Sequence, residues 1–251
     1  MIRSQDPTTL SELFHLNSEP WLNEDAYRAA PYRQEFKQLQ SVGPRVALPP
    51  TPDTALSKLV RDRKSVRGYV RRSMPLDLLS ALLSAASGAV EGGEIEGGGG
   101  SFLRRSAPSA GGLYPLENYL FLQEIERLED GLYYYDVLGQ TLQQIQAGNL
   151  FPQLEPIFYT YPFMQDANVI LCQAAVFLRA QRKYGPRGYR YILLEAGHAA
   201  QNFCLAATSF HLGTLCMGGF IDTRLNGLLG LNPPQEGVVY TIAAGYPSKQ
   251  L

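Results

Sequence analysis

The chain has 251 residues, 45% hydrophobic and 18% charged, enough apolar material for one large core or two small ones. Its 22 basic and 23 acidic residues leave a net charge of −1, which argues against bulk nucleic-acid binding driven by phosphate neutralisation but allows one local anion site. No run of about 18 apolar residues occurs, so no membrane span is expected, and the opening MIRSQDPTTL lacks the apolar core of a secretion signal.

Residues 1–50 are polar and helix-prone and end in GPRVALPPTPD, a Pro-rich strap. They are read as an N-terminal extension, and 51–251 as the main domain. DTALSKLVRDRKS predicts a helix capped by Asp53 or Thr54, with Leu56, Leu59 and Val60 at helical spacing. SMPLDLLSALLSAASGAV predicts a second, with Ser73 as cap, Pro75 in its first turn and Gly88 as its stop. EGGEIEGGGGS has six glycines in eleven residues and reads as a mobile loop.

In RRSAPSAGGLYPLENYLFLQEI the first half is turn chemistry and ENYLFLQEI a strand. GLYYYDVLGQTLQQI predicts a hairpin turning at Gly139, and LFPQLEPIF a short helical piece. NVILCQAAVFL is nearly all apolar, as expected of a central strand covered on both faces. RGYRYILLEAGHAAQNFCLAATSFHLG predicts the longest helix, about 24 residues and roughly 36 Å, closed by Gly213. Its apolar residues cover most of its circumference, so it serves as a central helix and a subunit interface. TLCMGGFI is a strand entering a Gly-Gly turn, DTRLNGLLGL a short helix and GVVYTIAAGYP a final strand. Strands and helices mix without strict alternation, which predicts an α+β fold, a central sheet packed with helices.

Cys172, Cys204 and Cys216 show no CxxC spacing and read as buried free thiols of a cytoplasmic protein, with no metal site. RDRKSVRGY gathers Arg61, Arg63, Lys64, Ser65 and Arg67, either a phosphate site or a solvated basic turn. APSAGGLYP lets a backbone approach a flat ligand closely, or is an ordinary turn. Glu195, His198 and Asn202 share one helix face and read as a satisfied hydrogen-bonded patch.

Taken in order, RKSVR, PSAGGLYP, KYGPRGYRYILLEAGHAAQN, GTLCMGGF and AGYP resemble the nitroreductase-like flavoproteins over about residues 56–247. Within them the pattern is most similar to the SagB/ThcOx-type (McbC-like) dehydrogenases, the azoline oxidases of peptide natural-product pathways. The resemblance implies a nitroreductase-like fold with a mostly antiparallel central sheet flanked by helices. It also implies an intertwined homodimer with FMN at the interface. Arg63, Ser65 and Arg67, with Lys64 beside them, would meet the flavin phosphate, ribityl chain and pyrimidine edge. Pro108 and Ser109, with Ala110, would approach from the partner subunit. Cys216, Met217 and Gly218, with Gly219, would line the N5 edge, and Lys249 would complete the phosphate cage.

The implied reaction converts peptide or carrier-bound thiazolines or oxazolines to thiazoles or oxazoles, with Lys183 and Tyr184 as the base pair. Biosynthetic partner proteins are expected, nucleic acid and membrane are not. An NAD(P)H-dependent nitro or quinone reductase shares fold and flavin but needs no such base. A non-catalytic flavin-holding scaffold subunit is the third reading.

Overall fold

In the computed structural model, which describes residues 10–19, 43–94 and 101–249, the order of elements follows the hydrophobic pattern closely. The helices are α1 (Leu10–Asn17), α2 (Ala55–Asp62), α3 (Leu76–Ser87), α4 (Phe151–Leu154), α5 (Tyr161–Met164), α6 (Phe177–Tyr184), α7 (Arg187–Ser209) and α8 (Asp222–Leu229). The strands are β1 (Ala89–Glu94), β2 (Ser101–Arg105), β3 (Leu116–Leu122), β4 (Gly131–Asp136), β5 (Thr141–Ala147), β6 (Val169–Val176), β7 (Gly213–Met217) and β8 (Glu236–Gly245). Six strands form one sheet in the order β5-β4-β3-β6-β8-β7, antiparallel throughout, and β1 and β2 form a separate hairpin. The fold is α+β, a central antiparallel sheet with helices on both faces.

β6 explains why the sheet is double-faced. Its side chains alternate, so Ile170, Cys172 and Ala174 enter one core while Val169 and Leu171 enter the other. The first core adds Phe151 and Leu154 of α4, Met164 of α5 and Leu225 of α8. The second adds Leu79, Leu82 and Leu83 of α3 and Phe203 and Cys204 of α7. β5, the edge strand, is mostly exposed and polar, as an edge should be.

One open choice is settled and three local expectations change. Thr54, not Asp53, caps α2: its hydroxyl accepts from the Ser57 amide at 3.1 Å, and Ser57 Oγ accepts from the Thr54 amide at 2.8 Å. Ser73 does not cap α3. Met74 is drawn into a bridge with Ile125, donating to the Glu124 carbonyl at 2.8 Å, so Pro75 stands at the cap position instead. Residues 91–94 of the glycine-rich stretch are strand, while 95–100 lie outside the described residues. Gly213 begins β7 rather than closing α7, which ends at Ser209 with Phe210 as its cap.

Of the N-terminal stretch, residues 1–9 and 20–42 lie outside the described residues. Residues 43–50 are exposed and without regular secondary structure. α1 packs onto the main body: His15 is buried edge-on to Phe177 at 5.1 Å, with its Nδ1 3.2 Å from the Tyr189 hydroxyl. Glu19 accepts from the Thr223 amide and hydroxyl at 2.8 and 2.9 Å. Among the described residues, no helix is long and apolar enough to cross a membrane.

Candidate functional site

The first cluster forms along β7. α2 ends at Arg63, and the chain then runs parallel to β7, with Ser65 bridging Thr214 and the Val66 amide donating to the Thr214 carbonyl at 2.8 Å. Val66 is buried, while Ser65 and Arg67 on either side of it are exposed. This close approach is what Gly213 permits, since a Cβ there would lie 2.7 Å from Val66 Cγ2. The C-terminal segment returns to the same edge. Val70 donates to the Tyr246 carbonyl at 2.9 Å and Ser248 to the Gly68 carbonyl at 3.0 Å, bringing Lys249 beside the Arg67 segment.

Arg63, Lys64, Ser65, Arg67 and Lys249 therefore share one edge of the fold. None of the four cations has a carboxylate partner among the described residues. Neighbouring cations do: Lys58 and Arg61 pair with Asp53 at 3.4 and 3.2 Å, and Arg71 pairs with Asp166 at 3.0 Å. Unpaired cations drawn together from two ends of the chain suit a multiply charged anion such as a phosphate.

Cys216 and Gly219 are half-buried and Gly218 is exposed at the end of β7. Met217 could serve that edge only through its backbone. Its side chain is buried in the core and takes the Thr160 hydroxyl at 3.1 Å, and its carbonyl takes the Thr241 hydroxyl at 2.9 Å. It gives the edge no side chain.

The second cluster contains the Lys-Tyr pair. Both residues lie in the last turn of α6, which stops at Gly185, φ 55°, whose amide donates to the Gln181 carbonyl at 2.7 Å. Adjacent helical residues diverge by about 100°, yet the two side-chain tips meet at one place. A Cβ added to Gly111 would lie 2.6 Å from the Tyr184 hydroxyl and 2.7 Å from Lys183 Nζ. Gly111 has φ 63° within a 3-10 turn over Ala110–Gly112, so the glycine supplies both the backbone conformation and the space. The Tyr184 ring is held edge-on by Tyr191 at 4.9 Å, and Lys183 Nζ stands 5.4 Å from the Tyr184 ring centre.

Ser109 anchors this turn. Its hydroxyl accepts from the Tyr114 amide at 2.9 Å and donates to Glu195, a buried carboxylate of α7. Asn202, two turns further along α7, donates to the Ser106 carbonyl at 3.5 Å. The polar face expected of Glu195, His198 and Asn202 is thus divided. Glu195 and Asn202 hold the 106–109 segment, and His198 is exposed. Pro108 is exposed and Ala110 half-buried on the same segment.

Burial pushes Glu195 up to about 7, against the opposing effects of the Ser109 hydrogen bond and the Arg105 charge. A carboxyl raised on folding contributes stability that is fully present below its unfolded value near 4.5 and is lost as pH rises through about 7. Glu195→Gln removes that titration. Urea unfolding is therefore expected to show the native protein losing roughly 3 kcal/mol relative to this variant between acid and alkaline limits. A pH-independent difference would contradict it.

The two clusters lie at different stations of α7. Cys204, which faces Cys216, and Glu195, which holds Ser109, are two and a half turns apart, about 13 Å along the axis. Sequence reasoning identified the segments but not Gly111 as their meeting point or Glu195 as an anchor. The double glycine of SAGGLYP was the available signal for Gly111; the polar face of Glu195, His198 and Asn202 marked Glu195 as hydrogen-bonded but not Ser109 as its partner.

The sequence pattern of the Nitroreductase family matches residues 60–246. MJ1384 of Methanocaldococcus jannaschii, named as a nitroreductase, is 34% identical over 184 residues, covering 73% of this chain and 88% of its own. The microcin B17-processing protein McbC of Escherichia coli is 29% identical over 137 residues, covering 52% of this chain and 50% of its own, so the chain spans half of that relative. Among solved structures, a chain of the E. coli microcin synthetase McbBCD complex with truncated pro-MccB17 bound shares the fold. Its TM-score is 0.63 at 20% identity, covering 97% of this chain and 84% of that one.

Proposed function

Because this chain belongs to the nitroreductase family, we propose that it is an FMN-dependent oxidase that converts peptide thiazolines or oxazolines to thiazoles or oxazoles. The observation that carries the reading is the convergence of Lys183 Nζ and Tyr184 Oη on Gly111. A nitro or quinone reductase has no use for a paired base there, whereas removal of a carbon-bound proton needs one. The likeness to McbC, named for processing a microcin, supports a peptide substrate.

The unpaired cations fit FMN. Arg63, Lys64, Arg67 and Lys249 would hold its phosphate, each charge-assisted hydrogen bond contributing about 1.5–3 kcal/mol, with the Ser65 hydroxyl as a further donor. Gly218 and Gly219 leave the end of β7 open to a flat ring, beside the half-buried Cys216. When bound, FMN supplies the two-electron acceptor. Lys183 or Tyr184 takes the proton that the azoline ring carbon loses, and the Ser109–Glu195 contact keeps the Gly111 turn in place beneath them.

Residues of two chains complete the site in this reading. The helix α7 buries one side in its own core and exposes Leu193 and Leu194 on another, an apolar strip suited to a second copy. Pro108 and Ser109, with Lys183 and Tyr184, then serve the flavin held by the partner's β7 edge.

The product distinguishes this from the reductase reading, which the likeness to MJ1384 favours. Incubated in air with an azoline-bearing peptide, the purified protein is expected to yield a peptide two hydrogens lighter for each ring oxidised. An unchanged peptide, with NAD(P)H bleaching the flavin and nitroaromatics turned over, would favour the reductase. A colourless protein still required by a modifying assembly would favour the scaffold.

A further inference from the structure

Two thiols face each other where α7 crosses β7. Cys204 is buried on α7, Cys216 is half-buried on β7, and their sulfurs lie 3.5 Å apart. Cys172 belongs to the core on the opposite face of the sheet. The surroundings make the two unequal. Either sulfur can donate across the 3.5 Å contact, but Cys216 is the more exposed of the two, and the Cys204 contact, Tyr240 and the Arg63 charge all favour its thiolate. Together these outweigh burial and lower Cys216 to about 7, while the same bond and burial push Cys204 up. Tyr69 and Tyr240, the other titratable groups facing the pair, are pushed up chiefly by burial and stay protonated. A thiolate with a protonated thiol in contact is the arrangement of a reactive cysteine beside its resolving partner.

We propose that Cys204 and Cys216 are a redox-active dithiol, a modification site at the β7 edge that a hydroperoxide closes to an intramolecular disulfide. The Cys216 thiolate attacks the terminal peroxide oxygen; an S–O bond forms, the O–O bond breaks, and the departing hydroxide or alkoxide takes a proton to become water or an alcohol. Cys216 is then a sulfenic acid. The Cys204 sulfur loses its proton and attacks Cys216; the S–S bond forms, the S–O bond breaks, and the expelled hydroxide takes that proton and leaves as water. The dithiol has given up two electrons and the peroxide has accepted them. Closing the bridge removes the negative charge beside Arg63, one of the cations of the proposed phosphate cage. The oxidant is any hydroperoxide that reaches Cys216, so the inference stands apart from the flavin reading.

The test uses the full chain as purified, treated with hydrogen peroxide, then alkylated and digested with trypsin. No Lys or Arg falls between Arg190 and Arg224, so both cysteines sit on the peptide 191–224 and Cys172 on another. The peptide is expected to become two hydrogens lighter and refuse the alkylating reagent, and a dithiol reductant should restore two alkylation sites. Cys216→Ser should leave Cys204 alkylatable after peroxide, and in the untreated protein alkylation of Cys216 should reach half its limiting rate at a lower pH than an ordinary thiol does, since its surroundings lower it. Two alkylatable thiols after peroxide, a peptide gaining oxygens, or bridges only between chains would overturn the proposal. A colourless protein that still forms the bridge counts against the flavin reading alone.

Discussion

Lys183→Ala is expected to lower azole formation about 10²–10⁴-fold, the usual range for loss of a positioned general base, while leaving bound flavin unchanged. The cations proposed for the phosphate lie along β7, at the other station of α7, so the truncation does not touch them. Tyr184→Phe separates the roles within the pair, since it keeps the ring packed on Tyr191 and removes only the hydroxyl. Gly111→Ala should reproduce much of the loss without altering either side chain. The added Cβ falls within 2.7 Å of both polar tips, and a non-glycine residue at φ 63° carries about 1–2 kcal/mol of its own strain. The measurement is turnover on an azoline peptide beside the flavin content of each variant. Full activity in Lys183→Ala would remove that residue from the chemistry.

Mixing two inactive variants is expected to restore activity. One carries Arg63→Ala with Arg67→Ala, the other Lys183→Ala. If each site takes its phosphate cage from one chain and its base pair from the other, one site in every mixed dimer is intact, and random pairing recovers about a quarter of wild-type sites. Co-expression with two affinity tags isolates the mixed dimer, in which half the sites should turn over. No recovery in isolated mixed dimers would place cage and base in the same chain.

The fold was largely legible because its strongest signals are periodic. β6 is apolar at almost every position and is covered on both faces, and α7 spans 23 residues with apolar positions on several sides. What could not be read is close approach between distant segments. Gly213 follows a helix, so it reads as a stop, but the constraint on it is Val66 packed against its Cα. The 91–94 stretch has the composition of a loop, yet pairing with 101–104 makes it strand, with Glu91 and Arg104 joined at 2.9 Å. Tertiary pairing overrides local propensity there. At the candidate site the motifs were visible one by one. The meeting of Lys183 and Tyr184 at Gly111, and of Ser109 with Glu195, depends on how α6 and α7 pack against the 106–112 segment. No residue spacing carries that information.

Anaerobic addition of a thiazoline peptide to the purified protein is the most direct measurement. The reading predicts that the flavin absorbance bleaches in a single exponential, that one thiazole appears per flavin, and that Lys183→Ala holds the same flavin but does not bleach. Flavin that stays oxidised with the thiazoline yet bleaches at once with NAD(P)H would contradict it.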